Sequence, residues 1–216
     1  MAMAIVLKSR EELALVREAG RVVAEVLQVL AEAARPGVRE RKLNEIVRRE
    51  FARRHVKPTF LGYYGYPACV CVSVNDEIVH GIPGDRPFQE GDIVSVDLGA
   101  TYKGYVADAA ITIGVGQITP EAQRLIDVTR EALCRGIAAA RTGARVGAIS
   151  WAIQSYVETN GFSVVREYVG HGVGRQMHEE PQVPNFGSPD HGIVLRQGMV
   201  LAIEPMVNAG DWRTRR

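Results

Sequence analysis

Carboxylates stand in apolar surroundings at three points of the sequence. Asp97 follows the run Ile-Val-Ser-Val, Asp108 lies among alanines, and Glu204 follows Leu-Ala-Ile. A carboxylate that is removed from water needs a counter-charge or hydrogen-bond donors. Carboxylate oxygens combined with imidazole nitrogens form a ligand set suited to manganese, iron, cobalt or zinc. These residue types therefore indicate a divalent-metal site, provided that the fold brings them together.

Two histidines are candidates for nitrogen ligands. His171 is flanked by glycines at 170, 172 and 174, which let the backbone approach closely, and His178 follows seven residues later, ahead of Glu-Glu-Pro. The spacing matches neither a zinc finger nor a zincin helix, so spacing alone is weak evidence. His55 and His191 have no such context, and we interpret them as structural.

The relation between Asp97 and Asp108 depends on a predicted hairpin. Residues 93–97 and 105–113 are predicted strands around the turn sequence Thr-Tyr-Lys-Gly. A turn centred between Tyr102 and Lys103 would place Asp97 directly opposite Asp108, with their Cβ atoms about 4.5 to 5.5 Å apart. Two carboxylates at that distance repel each other unless one is protonated or a cation lies between them. Exposure of both at strand ends is the alternative, and the alanines around Asp108 argue against it.

Hydrophobic periodicity predicts the elements that must position these residues. Apolar residues recur at helical spacing in four segments, 9–34, 40–54, 120–140 and 147–159, which we predict to be helices. Predicted strands cover residues 69–74, 93–98, 164–169 and 199–203, and Gly99 is expected to close the second of them.

The order helix, helix, strands occurs twice, and the sequence repeats with it. Residues 34–37 match residues 140–143, and residues 89–97 match residues 196–204, so that Glu204 takes the place of Asp97. A His-Gly pair also precedes the acidic strand in each half, at 80–81 and 171–172. A duplicated unit explains these matches. We predict an α+β fold with pseudo-twofold halves, about 1–115 and 116–216, in one domain over residues 1–216, with helices outside a curved antiparallel sheet.

Composition excludes several classes of protein. The 216 residues are 46% hydrophobic with a formal net charge of +1, which suits a folded domain without nucleic-acid specificity. The sequence contains no signal peptide pattern and no apolar stretch long enough to span a membrane. Three cysteines, an odd number, are expected to be reduced thiols, so we predict a cytoplasmic protein.

The motifs around these residues follow one family in order and spacing. They are Tyr66-Pro67, Val74-Asn75, Val-His-Gly-Ile-Pro at 79–83, Asp97, Asp108, Gly-His-Gly-Val-Gly at 170–174, His-Glu-Glu-Pro at 178–181 and Ala-Ile-Glu-Pro-Met at 202–206. In this pattern, which covers nearly the whole chain, the sequence resembles the type I methionine aminopeptidases. The resemblance implies the pita-bread fold and two divalent metal ions (cobalt, manganese, iron or zinc). The implied metal ligands are Asp97, Asp108, His171 and Glu204.

The resemblance also implies an activity, the removal of amino-terminal methionine from nascent or short polypeptides whose second residue is small. His80 and His178 would contact the substrate and stabilise the tetrahedral intermediate, and Glu204 would also act as the catalytic proton shuttle. Polarizable side chains would line the pocket for the methionine thioether, with ordinary core packing as the alternative role of each. These side chains are Phe60, Tyr63, Tyr66, Cys71 and Met177. The expected partner is a peptide or nascent-chain amino terminus, a ribosome is a further candidate, and we expect a monomer.

One part of the family pattern is missing from the sequence. The family carries a further metal-bridging glutamate on a last strand, whereas Asp211 is the one acidic residue after Glu204 and has a loop-like context. We therefore expect this strand to be absent, which leaves a non-catalytic or inactive binding module of the same fold as an alternative. A proline-directed peptidase of the same fold is another, but such relatives usually carry an additional amino-terminal domain, and this chain starts directly with its first helix. The stretch from His178 to Glu204 is too short for the helical insertion of the type II enzymes.

Overall fold

The computed structural model describes residues 5–215, which form two compact units. The amino-terminal unit contains Arg10–Ala122 and Gly174–Met177. The carboxy-terminal unit contains Gln123–Val173 together with residues 5–9 and 178–215. Helices and antiparallel strands occur in both units, which confirms the predicted α+β class.

Two amphipathic helices cover the sheet of the amino-terminal unit. α1 spans Arg10–Ala33 and α2 spans Glu40–Arg53, close to the predicted limits. Their apolar faces join the sheet in one hydrophobic core, in which Leu30 and Phe51 are almost completely buried. Gly37 turns the chain between the helices at a φ of +84°, a conformation that would strain any residue with a side chain.

The sheet of this unit is built around one long strand. It contains β1 (Lys57–Pro58), β2 (Cys71–Val74), β3 (Ile93–Tyr102) and β4 (Tyr105–Gly114), and β3 pairs antiparallel with the other three. The prediction that Gly99 closes β3 is wrong, because the strand continues to Tyr102. Gly99 instead allows close packing, since a Cβ atom there would lie 2.7 Å from Cε1 of Phe60.

The hairpin between β3 and β4 turns one residue later than the sequence pattern predicted. Tyr102 pairs with Tyr105, which leaves Lys103 and Gly104 as a two-residue turn. Both turn residues have positive φ, 46° and 82°. That combination is typical of a type I′ turn, whose twist matches the twist of the flanking strands.

This register corrects the predicted pairing of the two aspartates. Asp97 lies opposite Ala110 and Asp108 lies opposite Gly99, so the carboxylates do not face each other directly. Because the pairing is shifted by two residues, both aspartates remain on the same face of the sheet. They are diagonal neighbours, for which the usual separation is roughly 7 to 8 Å.

The carboxy-terminal unit also combines two helices with short strands. Its helices are α3 (Pro120–Ala139), which belongs to this unit from Gln123 onward, and α4 (Val146–Thr159), as the sequence predicted. Its strands are β5 (Ser163–Val164), β6 (Gly170–Gly172), β7 (Glu179–Val183), β8 (Leu201–Ala202) and β9 (Val207–Asn208). β6 lies between β7 and β8, and β5 pairs with β9. No helix in the part of the chain that the structure describes is long and apolar enough to cross a membrane.

Two predicted strands of this unit are shorter than the sequence pattern indicated. The strand predicted over 164–169 ends at Val164, because the chain bends at the exposed residues Arg166 and Glu167. The strand predicted over 199–203 is reduced to Leu201–Ala202. β6, which carries His171, was not predicted, since its glycine-rich sequence has no strand pattern.

The backbone hydrogen bonds repeat with the sequence. Arg39 forms an isolated antiparallel bridge with Pro87, and Arg145, 106 residues after Arg39, forms the same bridge with Val194, 107 residues after Pro87. The N–H groups at 37 and 143 likewise donate to the carbonyls at 88 and 195, over 2.8 and 3.0 Å. Each unit is thus built on the same helix-helix-loop framework, as expected for a duplication.

Candidate metal ligands

The amino-terminal unit places two half-buried carboxylates on one face of its sheet. Asp97 projects from β3 and Asp108 from β4. Their strands are otherwise mainly apolar, so the field of one carboxylate is poorly screened at the other. The sequence correctly indicated this concentration of negative charge, although the register differs from the predicted one.

Cys71 shares that face, because it lies directly opposite Asp97 in the pairing of β2 with β3. Burial, followed by the charges of Asp97 and Asp108, raises the pKa of the Cys71 thiol to about 12. Burial likewise raises the pKa of Tyr66 well above its ordinary value, and its hydroxyl donates to the Gly81 carbonyl over 2.7 Å. Both side chains are therefore neutral near pH 7, which suits a pocket wall and not a metal ligand.

The remaining residues predicted to line the pocket lie in the same unit. Phe60 is buried and meets Tyr66 edge to face, with ring centroids 6.5 Å apart. Tyr63 is half-buried and contacts the ring of Tyr64, and Met177 is 7% exposed. Of the five residues predicted to line the pocket, Phe60, Tyr66 and Cys71 therefore lie closest to one another.

His80 stands on a segment that runs beside β2. The Val72 N–H donates to the Gly81 carbonyl over 2.9 Å, and the Gly81 N–H donates to the Ser73 hydroxyl over 3.1 Å. A Cβ atom on Gly81 would lie 2.1 Å from the Val72 carbonyl oxygen, so only glycine fits. His80 itself is exposed and has a φ of +63°. This left-handed conformation is uncommon for a residue other than glycine. The imidazole is therefore exposed, while the backbone that carries it is held in place.

His171 lies on β6 and is 7% exposed. Its Nδ1 is 2.8 Å from the Gly172 carbonyl oxygen. Because a carbonyl oxygen only accepts, Nδ1 carries the proton in this contact, and Nε2 is then the ring nitrogen whose lone pair would bind a cation. Close strand pairing requires the neighbouring glycine, since a Cβ at Gly172 would lie 2.3 Å from the Glu180 carbonyl oxygen.

Glu204 lies next to that nitrogen. Its Oε1 is 3.0 Å from Nε2 of His171, is buried, and makes no hydrogen bond within residues 5–215. A carboxylate oxygen and an imidazole lone pair at this distance repel each other unless a proton or a metal cation lies between them. The pair therefore has the chemistry of two ligands of a divalent ion.

His178 accompanies His171 in the carboxy-terminal unit. The two rings lie 4.2 Å apart between centroids at an angle of 56°, and His178 is exposed where His171 is buried. His178 immediately precedes β7, which pairs with β6. In the amino-terminal unit, His80 also lies on a segment that runs beside a strand, β2.

Asn185 is a supporting residue that the sequence analysis missed. It is completely buried, and its Nδ2 donates to the main-chain carbonyl of Glu204 over 2.7 Å. This contact spans 19 residues, and nothing in the local sequence signals it. Asp211 is an exposed residue that pairs with Arg213 at 2.5 Å, which agrees with its interpretation as a surface turn. His55 and His191 are also exposed.

The chain matches metallopeptidases along nearly its whole length. Metallopeptidase family M24 matches residues 14–215. Methionine aminopeptidase 1 of Bacillus subtilis is 50% identical over 96% of this chain and 84% of its own length. The methionine aminopeptidase of Clostridium perfringens is 48% identical over 98% of this chain and 85% of its own length.

Solved structures agree with these relatives. The crystal structure of methionine aminopeptidase from Thermotoga maritima superposes with a TM-score of 0.96 at 48% identity, over 97% of this chain and 85% of that one. The prolidase from Pyrococcus furiosus gives a TM-score of 0.80 at 26% identity, and the match covers 57% of its chain. The comparisons thus confirm the resemblance and do not favour the proline-directed or non-catalytic alternatives. The chain belongs to metallopeptidase family M24 and is a metal-dependent peptidase with the pita-bread fold.

Proposed function

We propose that this chain removes the amino-terminal methionine from peptides and nascent polypeptides whose second residue is small. The contact between His171 and Glu204, two metal-binding groups 3.0 Å apart, is the observation that carries the proposal. The relatives at 48 and 50% identity, both named methionine aminopeptidases, support the choice of methionine as the residue removed.

The proposed ligands of two divalent ions are Asp97, Asp108, His171 and Glu204. Asp97 and Asp108 lie in the amino-terminal unit, and His171 and Glu204 lie in the carboxy-terminal unit. The buried Glu204 oxygen without a hydrogen bond and the protonated Nδ1 of His171 both fit metal binding. Divalent ions held by these residues would lower the pKa of water and so would supply hydroxide near neutral pH. The identity of the metal is open among cobalt, manganese, iron and zinc.

The remaining groups act on the substrate. His178 donates a hydrogen bond to the oxyanion that develops when the peptide carbonyl is attacked. His80 orients the scissile amide, and the fixed backbone at Gly81 keeps its imidazole in place. Glu204 moves a proton from the attacking water towards the leaving amine. The exposure of both His80 and His178 leaves them accessible to a peptide.

The proposed specificity follows from the neutral wall around Cys71. Phe60, Tyr63, Tyr66 and Met177 complete the pocket in this proposal, and aromatic rings with sulfur atoms suit a thioether. A deep site that is reached past the first side chain leaves little room for the second. Peptides with glycine or alanine in second place are therefore the expected substrates.

We also propose that residues 1–216 act as one catalytic domain, since both units are built on the same duplicated framework. The partner is the amino terminus of a peptide or nascent chain, and the ribosome is the place where such termini first appear. A cytoplasmic monomer fits this role and the three cysteines, which are all free.

The experiment is titration of the metal-free protein with Mn²⁺ or Co²⁺, followed by release of methionine from Met-Gly-Met. We expect heat of metal binding and methionine release in the same concentration range. Asp108→Asn should abolish both, whereas Asp127→Asn, at an aspartate on α3 that is 54% exposed and paired with Arg130, should change neither.

Three peptides test the specificity. Met-Gly-Met should be cleaved well and Met-Leu-Met poorly, and Ala-Pro-Met should remain intact. Equal cleavage of all three would contradict the pocket proposed here. Binding of metal without release of methionine from any peptide would contradict the proposed activity while preserving the metal site.

A further inference from the structure

A buried ion pair lies outside the proposed metal and substrate groups. Nζ of Lys8 is 2.5 Å from Oε2 of Glu179, and the side chains are only 3% and 11% exposed. The same ammonium donates to the Val6 carbonyl over 3.1 Å. A buried ammonium or carboxylate is costly without a partner, so the two charges stabilise each other.

The carboxylate of this pair belongs to the residue after His178. Glu179 begins β7, and its backbone pairs with Gly172, the residue after His171. Glu179 is thus the point at which the segment carrying His178 is attached to the strand carrying His171. Its side chain is held by Lys8, so the ion pair restrains the backbone from which the exposed His178 imidazole projects.

The backbone of Lys8 is hydrogen-bonded to the segment that precedes Glu204. The Lys8 N–H donates to the Gly198 carbonyl over 2.8 Å. Gly198 has a φ of +92°, and a Cβ atom there would lie 2.9 Å from the Lys8 carbonyl oxygen. The segment around Lys8 is therefore packed against the turn that precedes β8, and it cannot shift without disturbing that turn.

We propose that Lys8 is a positioning residue that acts through Glu179 to hold the imidazole of His178 in its catalytic orientation. The catalytic part of this inference rests on the proposed function, in which His178 donates to the oxyanion. Loss of the ammonium removes the positive charge that Glu179 contacts at 2.5 Å, and the carboxylate then shifts towards water. The backbone of the adjoining His178 shifts with Glu179, and the imidazole leaves the orientation from which it donates to the oxyanion.

The variants form a double-mutant cycle of Lys8→Met, Glu179→Gln and both together. Lys42→Met is the matched control, because Lys42 makes an ion pair with Glu45 at 2.9 Å, but with side chains 55% and 57% exposed. The first readout is the imidazole Cε1–H signal of His178 in the metal-free protein, assigned by its loss in His178→Gln. The signal of the exposed His191 serves as the internal reference.

We expect Lys8→Met to move the His178 signal and to lower kcat by about tenfold with KM changed less than about twofold, because misplacement of a catalytic group mainly affects the transition state. Glu179→Gln should act in the same direction with a smaller effect. The double variant should be no worse than Lys8→Met alone, since the two residues act through each other. Lys42→Met should change neither signal nor rate.

An unmoved His178 signal with wild-type kcat in Lys8→Met would overturn the proposal, even if the unfolding temperature fell, because the lysine would then be structural only. Additive effects in the cycle would overturn it as well. If Lys8→Met fails to fold, Glu179→Gln decides by the same two readouts. Should the wild-type protein release no methionine, the proposed function fails, while the His178 signal still decides whether Lys8 positions that ring.

Discussion

Nε2 of His171 lies 3.0 Å from Oε1 of Glu204, with no hydrogen bond to that oxygen within residues 5–215. The contact joins two groups that both present lone pairs, since the other imidazole nitrogen donates to a backbone carbonyl. Such a contact is unfavourable by itself and becomes favourable when a cation binds. A metal cation bound between the two groups would attract both of their lone pairs.

Glu204→Gln should raise the stability of the metal-free protein while it abolishes metal binding. The glutamine amide can donate to Nε2 of His171, so the metal-free variant should gain about 0.5 to 1.5 kcal/mol in free energy of unfolding. Loss of the carboxylate should at the same time abolish the rise in unfolding temperature on addition of Mn²⁺. Denaturant unfolding and thermal unfolding measure the two effects.

Glu121→Gln, at an exposed glutamate in the first turn of α3, is the control and should leave the response to Mn²⁺ intact. A Glu204→Gln protein that is still stabilised by Mn²⁺ would contradict the assignment of Glu204 as a ligand.

Asn185→Leu should destabilise the protein and reduce its activity together. The substitution removes the donor to the Glu204 carbonyl and leaves that carbonyl without its partner, at a cost of about 1 to 3 kcal/mol. Metal affinity should fall because the backbone that carries Glu204 is less well fixed. The measurements are denaturant unfolding and Mn²⁺ titration.

The comparison variant is Asn208→Leu, whose amide donates to the carbonyl of the exposed Asp211. Asn208→Leu should lower the free energy of unfolding much less than Asn185→Leu and should leave the affinity for Mn²⁺ unchanged. Equal effects of the two substitutions on stability and metal affinity would show that the hydrogen bond from Asn185 does not fix Glu204 for metal binding.

Gly81→Ala should damage the segment that carries His80. The new Cβ would lie 2.1 Å from the Val72 carbonyl oxygen, so the backbone has to move. We expect a loss of about 2 to 4 kcal/mol in free energy of unfolding and a fall in kcat. Gly210→Ala meets no atom within 4 Å and should be neutral, which calibrates the assay. Wild-type kcat in Gly81→Ala would argue against a substrate role for His80.

The cysteines should differ sharply in reactivity. The pKa of Cys71 is about 12, and the thiolate is the reactive species, so only about one molecule in ten thousand is reactive at pH 8. The rate of labelling should rise about tenfold per pH unit up to that pKa. Cys134 is exposed, and a maleimide should label it first, whereas Cys69 and Cys71 should react only after unfolding.

Mass spectrometry of timed samples measures this difference. Cys134→Ser should remove the fast reaction completely. Rapid labelling of Cys71 in the folded protein would contradict its placement in a buried, neutral wall.

Much of the fold follows from local patterns in the sequence. The four helices were predicted within about two residues of their limits, because each shows helical periodicity. Helix-breaking residues also follow two of them, Pro36 and Gly37 after α1 and Asn160 and Gly161 after α4. The duplication was also visible, and the paired bridges of Arg39 and Arg145 confirm it. The strand predicted over 164–169 was wrong, because alternation of residue types cannot show that the chain bends at Arg166 and Glu167.

The sequence by itself determined which residue types are available for metal chemistry and that Asp97 and Asp108 share one face, since any even register shift preserves the face of a strand. Only the tertiary structure decided that Asp97 lies opposite Ala110, because the conformation of Lys103 and Gly104 sets the register. It also decided the partners of the site, Asn185 for Glu204 and Lys8 for Glu179, which are 19 and 171 residues apart. Contacts over such separations arise from packing of whole elements, and no local pattern in the sequence encodes them.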